Sequence, residues 1–91
     1  MERPNRREFI IMTEFQVLLH SMHDVKRFMS SASLMPVDID VISGRYTVDA
    51  KSILGLCSLD LDKPVTVRVY GSDRDGEVFR AQVEDLIAPR E

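Results

Sequence analysis

Apolar and polar residues alternate in four separate stretches of the chain, and a period of two residues indicates a strand with one buried face. The first alternation is carried by Phe15, Val17 and Leu19. The second and third flank the turn residues Ser43-Gly44 and therefore predict a β-hairpin. The predicted strands span residues 13–20, 36–43, 45–50 and 64–70.

Three other stretches have the spacing of short or amphipathic helices. Val25, Phe28 and Met29 recur at intervals of three and four residues, which places them on one helical face. Ser21 precedes this stretch and offers an N-cap, with Asp24 three residues later as a capping-box partner. The predicted helices span residues 22–34, 52–59 and 75–88.

The resulting order of elements is β-α-β-β-α-β-α. Strands with one apolar face form an antiparallel sheet that is solvated on one side, so all helices are expected on the other side. The predicted fold class is α+β, a two-layer open-faced β-sandwich. The expected core consists of Phe15, Val17, Phe28, Ile39, Val41, Val48, Leu54, Val67, Phe79, Val83 and Leu86. Residues 1–11 show no period and contain Pro4, so we expect a loose arm before a single domain of residues 12–91.

Composition narrows the class of protein. A chain of 91 residues has room for one core, and 44% hydrophobic with 30% charged residues excludes a disordered tail. The net charge of −3 argues against nucleic-acid binding, which requires a clustered basic face. No apolar run is long enough to span a membrane. The single cysteine, Cys57, has no partner for an internal disulfide, which indicates a reducing compartment, and a cytoplasmic location is expected.

The sequence lacks the signatures of common enzymes. It has no glycine-rich phosphate loop, no nucleophile elbow and no Cys-x-x-Cys motif, so we expect neither an enzyme nor a cofactor. His20 and His23 flank the predicted start of the first helix. A histidine at a helix N-terminus can hold a phosphoryl group, two histidines can begin a metal site that lacks an evident third ligand, and both can simply be solvated.

Two further positions have more than one interpretation. Ser52 stands at the predicted start of the second helix, where a serine is either a plain N-cap or a phosphorylation site. Cys57 lies in an apolar run and is interpreted as a small buried hydrophobe. Met22 is interpreted as a filler of gaps in the core.

The run Lys51-Ser-Ile-Leu-Gly-Leu-Cys-Ser-Leu59 resembles the central segment of the HPr family, the phosphocarrier proteins of the bacterial sugar phosphotransferase system. In that family a similar Lys-Ser-Ile/Leu-x-Gly-x-x-Ser-Leu run follows the hairpin and opens the second helix. The resemblance implies an antiparallel sheet with strand order 1-4-2-3. It also implies protein partners: enzyme I, sugar-specific enzyme II components, and an HPr kinase or a transcription regulator.

The chain departs from the family at its phosphorylation motif. HPr proteins carry Gly-x-His-x-Arg-Pro between the first strand and the first helix, and the histidine accepts the phosphoryl group. An ungapped alignment places Ser21 at the histidine position, His23 at the arginine and Asp24 at the proline. Only a shift of one or two residues brings His20 or His23 into the phosphoacceptor position.

The serine that a dedicated kinase phosphorylates in HPr proteins of low-GC Gram-positive bacteria corresponds to Ser52. The leading hypothesis is therefore an HPr-like regulatory or binding protein without histidine phosphotransfer. Its docking surface is predicted around Lys51, Ile53, Leu54 and Cys57. One alternative is a working phosphocarrier that uses His20 or His23, and another is an interaction module without a phosphorylation site.

Overall fold

The structure, a computed structural model, describes residues 12–89, which form a four-stranded sheet and three α-helices. The strands are β1 Met12–Val17, β2 Asp38–Ser43, β3 Tyr46–Asp49 and β4 Val65–Tyr70. The helices are α1 Met22–Ser33, α2 Ile53–Cys57 and α3 Asp73–Gln82, and a 3-10 helix follows at Glu84–Leu86. The sheet is antiparallel with strand order β1-β4-β2-β3. Both the α+β class and the order 1-4-2-3 are confirmed.

The core lies between the sheet and the helices. Val67 in the central strand β4 is opposite Phe15 of β1 on one side and Val41 of β2 on the other, so these side chains share one face of the sheet. Two aromatic residues of the helices cover this face: Phe28 of α1 and Phe79 of α3 meet edge to face, with ring centroids 5.5 Å apart. Leu56 of α2 belongs to the same core cluster, so all three helices share one side of the sheet, as the alternation predicts.

Nine of the eleven predicted core residues are buried: Phe15, Val17, Phe28, Ile39, Val41, Val67, Phe79, Val83 and Leu86. Val48 is half-buried because it lies on the edge strand β3, where it still packs against the core. The prediction for Leu54 is wrong, since its side chain is 81% exposed. Helix α2 turns its fully buried Leu56 inward, and a residue two positions earlier lies roughly 200° away around the helix.

The largest differences from the predicted ranges lie at the ends of β1 and α3. Helix α3 begins at Asp73 instead of residue 75 because Ser72 and Asp75 form a capping box. It stops at Gln82, and the chain then pairs with the outer edge of β1: the Leu18 N–H donates to the Leu86 carbonyl over 2.8 Å. Strand β1 ends at Val17, so His20 lies in the connection and not in the strand.

The predicted loose arm, residues 1–11, lies outside the described residues, as do residues 90–91. Within residues 12–89, the helices are too short and too polar to cross a membrane.

Candidate functional site

The start of helix α1 is capped by the chain's own side chains. The Ser21 hydroxyl accepts a hydrogen bond from the Asp24 N–H over 3.2 Å, which confirms the predicted N-cap. The Asp24 carboxylate accepts in turn from the His20 N–H over 3.0 Å. Two backbone donors at the helix start are therefore occupied, and a carboxylate lies where the helix dipole favours negative charge.

Both candidate histidines have exposed side chains next to this cap. His20 lies just before the N-cap residue and His23 lies in the first turn of α1. Among residues 12–89, no three His, Cys, Asp or Glu side chains are grouped so as to hold a metal ion. The structure therefore gives no support to a metal site built on the two histidines.

Ser52 is the N-cap of helix α2, as predicted. Its backbone is extended, and its hydroxyl accepts from the Gly55 N–H over 3.1 Å. Ser52 is half-buried, so the residue is neither fully exposed nor sealed in the core. The glycine allows the helix to lie close to the sheet, because a Cβ on Gly55 would lie 3.0 Å from the Cβ of Val48.

Lys51, predicted as a docking residue, links two parts of the chain. Its ammonium donates to the Met35 carbonyl over 3.0 Å, just beyond the end of α1. Its backbone N–H donates to the Asp49 carboxylate over 2.8 Å. The side chain is half-buried and thus holds the loop before α2 in place.

An exposed apolar patch lies next to Ser52, formed by Met22, Leu54 and Cys57. Met22 is 49% exposed, and its Sδ lies 3.9 Å from the Cys57 Sγ across the contact between α1 and α2. Leu54 is three residues before Cys57 and therefore neighbours it on the helix surface. The interpretations of Cys57 as buried and of Met22 as a core filler are both wrong. Ile53, also predicted for docking, is half-buried and packs against the core.

Sequence reasoning missed Met22 as a surface residue because it continues the apolar spacing of α1, three residues before the buried Val25. Periodicity assigns it to the core face. In the structure the first turn of α1 instead meets the short helix α2, which leaves part of the Met22 side chain in solvent. Its position next to the Lys51–Leu59 run in space has no signal in the sequence.

Comparison with known proteins finds that the chain is similar in fold to HPr structures. HPr-C-His from Thermoanaerobacter tengcongensis is similar to it with a TM-score of 0.62 and 26% identity, covering 86% of this chain and 91% of that chain. The phosphocarrier protein HPr from Bacillus anthracis str. Ames is similar with a TM-score of 0.59 and 26% identity, covering 81% of this chain and 96% of that chain. No protein-family model matches the sequence, and no curated protein matches it.

Proposed function

We infer that this chain, whose fold is similar to that of HPr proteins, is a regulatory or binding protein related to the sugar phosphotransferase system, and not a working histidine phosphocarrier. The observation that carries this inference is the cap at the start of α1. There the Asp24 carboxylate and the Ser21 hydroxyl already bond two backbone donors, the His20 N–H and the Asp24 N–H.

A phosphoryl group on a histidine at this place needs free amide donors and positive surroundings. Asp24 provides a negative charge instead, and a like charge beside the phosphoryl group is repulsive. The exposed His20 and His23 would have to carry the group without the neighbouring arginine of the family motif. These features favour binding over phosphoryl transfer.

The apolar patch supports a docking role. Protein interfaces typically have a small apolar centre with aromatic residues and methionine, and a polar rim around it. Met22, Leu54 and Cys57 supply such a centre on one side of the half-buried Ser52. We propose that this surface receives a protein of the phosphotransferase system, an HPr kinase or a transcription regulator.

Ser52 is the proposed switch of this surface. A phosphate on its hydroxyl would add about −1.5 to −2 charges and strong acceptor oxygens. These oxygens can keep the Gly55 N–H bonded, so the cap is preserved. A partner with an apolar docking surface would then have to desolvate the charge and would bind less tightly, whereas a partner with arginine would bind more tightly.

Incubation with phosphoenolpyruvate and enzyme I tests the loss of carrier function, with an ordinary HPr as the positive control. We expect no acid-labile phosphoryl group on this chain. A label that disappears in His20→Ala or in His23→Ala would establish the alternative of a working carrier and overturn the proposal.

Incubation with an HPr kinase and ATP tests the switch. We expect one acid-stable phosphoryl group, which Ser52→Ala abolishes and Ser58→Ala retains. Ser58 is the matched control because it is an exposed serine at the other end of the same helix. No modification, together with no binding of phosphotransferase proteins, would leave the third hypothesis, an interaction module without a phosphorylation site.

A further inference from the structure

Two sulfur atoms from different helices meet at the surface of the molecule. Met22 is the first residue of α1 and Cys57 is the last residue of α2. The Met22 Sδ lies 3.9 Å from the Cys57 Sγ, and both side chains are exposed. A thiol is a weak hydrogen-bond donor and a thioether is a weak acceptor, so this contact contributes little to the stability of the fold.

The packing of the two helices keeps these sulfur atoms close to each other. Leu56, next to Cys57 in α2, is fully buried, and Val25, three residues after Met22 in α1, is buried as well. Both residues belong to the same core cluster. Each helix is therefore anchored within one turn of its sulfur atom, and only side-chain torsions need to be ordered when a ligand binds to the pair.

A soft metal ion is the ligand that suits this pair of atoms. Thiolate and thioether sulfur are soft ligands, and soft ligands favour Cu(I). Zinc is held instead by thiolate, imidazole and carboxylate groups, usually four of them. Residues 12–89 contain no group of three His, Cys, Asp or Glu side chains that could hold a metal ion. A cysteine paired with a methionine therefore fits a monovalent soft ion and does not fit zinc.

We propose that Cys57 and Met22 bind one Cu(I) ion between α1 and α2. The Cys57 thiol releases its proton to solvent and forms a metal–thiolate bond. The Met22 thioether donates a lone pair, and the ion keeps its oxidation state. If both bonds have the length of about 2.3 Å that is usual for a metal–thiolate bond, two sulfur atoms 3.9 Å apart form an angle of about 115° at the ion. This angle leaves the solvent side of the ion open to a third ligand from solution.

The charge of the proposed complex suits its apolar surroundings. The negative thiolate cancels the positive charge of Cu(I), so the neighbouring exposed side chain of Leu54 does not face an uncompensated charge. The proposal is independent of the proposed regulatory function, because it requires neither a phosphate on Ser52 nor a protein partner.

Competition with the chelator bicinchoninate, whose Cu(I) complex is coloured, measures the affinity of the full chain for Cu(I). The titration is anaerobic, with ascorbate as the reductant. We expect one Cu(I) per chain and no binding to this site in Cys57→Ala. Met22→Leu should weaken binding by at least about tenfold, a loss that even an outer-shell partner of a metal can cause. Met12→Leu is the matched control, since Met12 is an exposed methionine of β1, and it should bind as the parent does.

X-ray absorption at the copper edge counts the sulfur ligands independently of affinity. We expect two sulfur atoms in the parent and one in Met22→Leu, with circular dichroism showing all variants folded. Equal Cu(I) affinity of Met22→Leu and the parent overturns the proposal, because the thiolate alone would then hold the ion. One Cu(I) per two chains, with a copper-dependent dimer in sedimentation, overturns it too, because the ion would then join the cysteines of two copies.

Discussion

Gly76 marks the closest approach between helix α3 and the sheet. It is buried, and a Cβ at this position would lie 1.9 Å from the Thr13 Oγ1 of β1. Any side chain would therefore push the helix off the strand. The absence of a side chain at residue 76 sets the distance between these two elements.

Gly76→Ala should lower the free energy of unfolding by about 1–3 kcal/mol, the usual cost of overpacking. Urea denaturation measures this change. Glu77→Ala, at the next and exposed position of the same helix, is the control and should shift stability by no more than about 0.5 kcal/mol. A Gly76→Ala variant as stable as the parent would show that α3 does not approach β1 this closely.

Substitutions of Ser52 can distinguish an effect on stability from an effect on partner binding. Ser52→Ala removes the acceptor for the Gly55 N–H and should cost about 1 kcal/mol. Ser52→Asp supplies a good N-cap in its place, so thermal unfolding should change little. If Ser52 is the switch, the aspartate variant should nevertheless bind partners with altered affinity in calorimetric titration, and Ser58→Asp should not.

The caps at Ser21 and Ser52 could be predicted from the sequence because capping depends on neighbours within three residues. Leu54 could not, because a helix of five residues has no apolar stripe long enough to define its buried side. The prediction that Met22 fills the core was wrong for a related reason. Its spacing is that of a core residue, but its environment is set by α2, some thirty residues later in the chain.

At the scale of elements, the ion pair between Arg27 of α1 and Asp85 of the 3-10 helix joins two ends of the helical layer. The hydrogen bond from Arg27 lowers the pKa of Asp85 below its ordinary 3.8. Because the pKa of Asp85 is lower in the folded than in the unfolded protein, the pair stabilises the folded state at pH values above the ordinary pKa. This contribution is lost as the pH falls through the folded-state pKa. The Asp85 side chain is 69% exposed and that of Arg27 is 36% exposed, so solvent screens the pair and the effect is small.

Asp85→Asn should therefore slightly reduce stability at neutral pH and lose the part of the acid dependence that comes from this pair. Urea midpoints at neutral pH and below about pH 3 test this, because the ordinary carboxyl titrates between them. Glu84→Gln, on the neighbouring exposed residue, serves as the control. Equal acid sensitivity of the parent and Asp85→Asn would contradict the assignment.

The strands were predictable because alternation is local and repeats over several residues. The ends of β1 and α3 were not predictable, because the chain after α3 pairs with the end of β1. The Ala88 N–H donates to the Gln16 carbonyl over 2.8 Å. This contact straightens the chain that periodicity assigns to a longer helix. Pairing between residues some seventy positions apart leaves no trace in a window of neighbouring residues.

At the scale of the whole molecule, three phenylalanines join the two layers. Phe79 of α3 contacts Phe28 of α1 and Phe15 of β1. The ring centroids of Phe79 and Phe15 are 6.2 Å apart. Phe79→Ala should cost about 3–5 kcal/mol, a large share of the roughly 5–15 kcal/mol that stabilises a typical domain. Calorimetry should show a strongly lowered melting temperature, with a smaller loss for Phe79→Leu; equal melting of all three proteins would contradict this role.

The position of β4 between β1 and β2 also dictates the order in which the protein can assemble. During synthesis Phe15 can pair with Val67 only after about fifty intervening residues have been added. Strand β1 therefore has no strand partner through most of synthesis. Such distant pairings slow folding. A chain that ends at Pro64 should show no protected sheet amides in hydrogen exchange beyond the β2–β3 hairpin. The sheet and its core can therefore form only after β4 has been made.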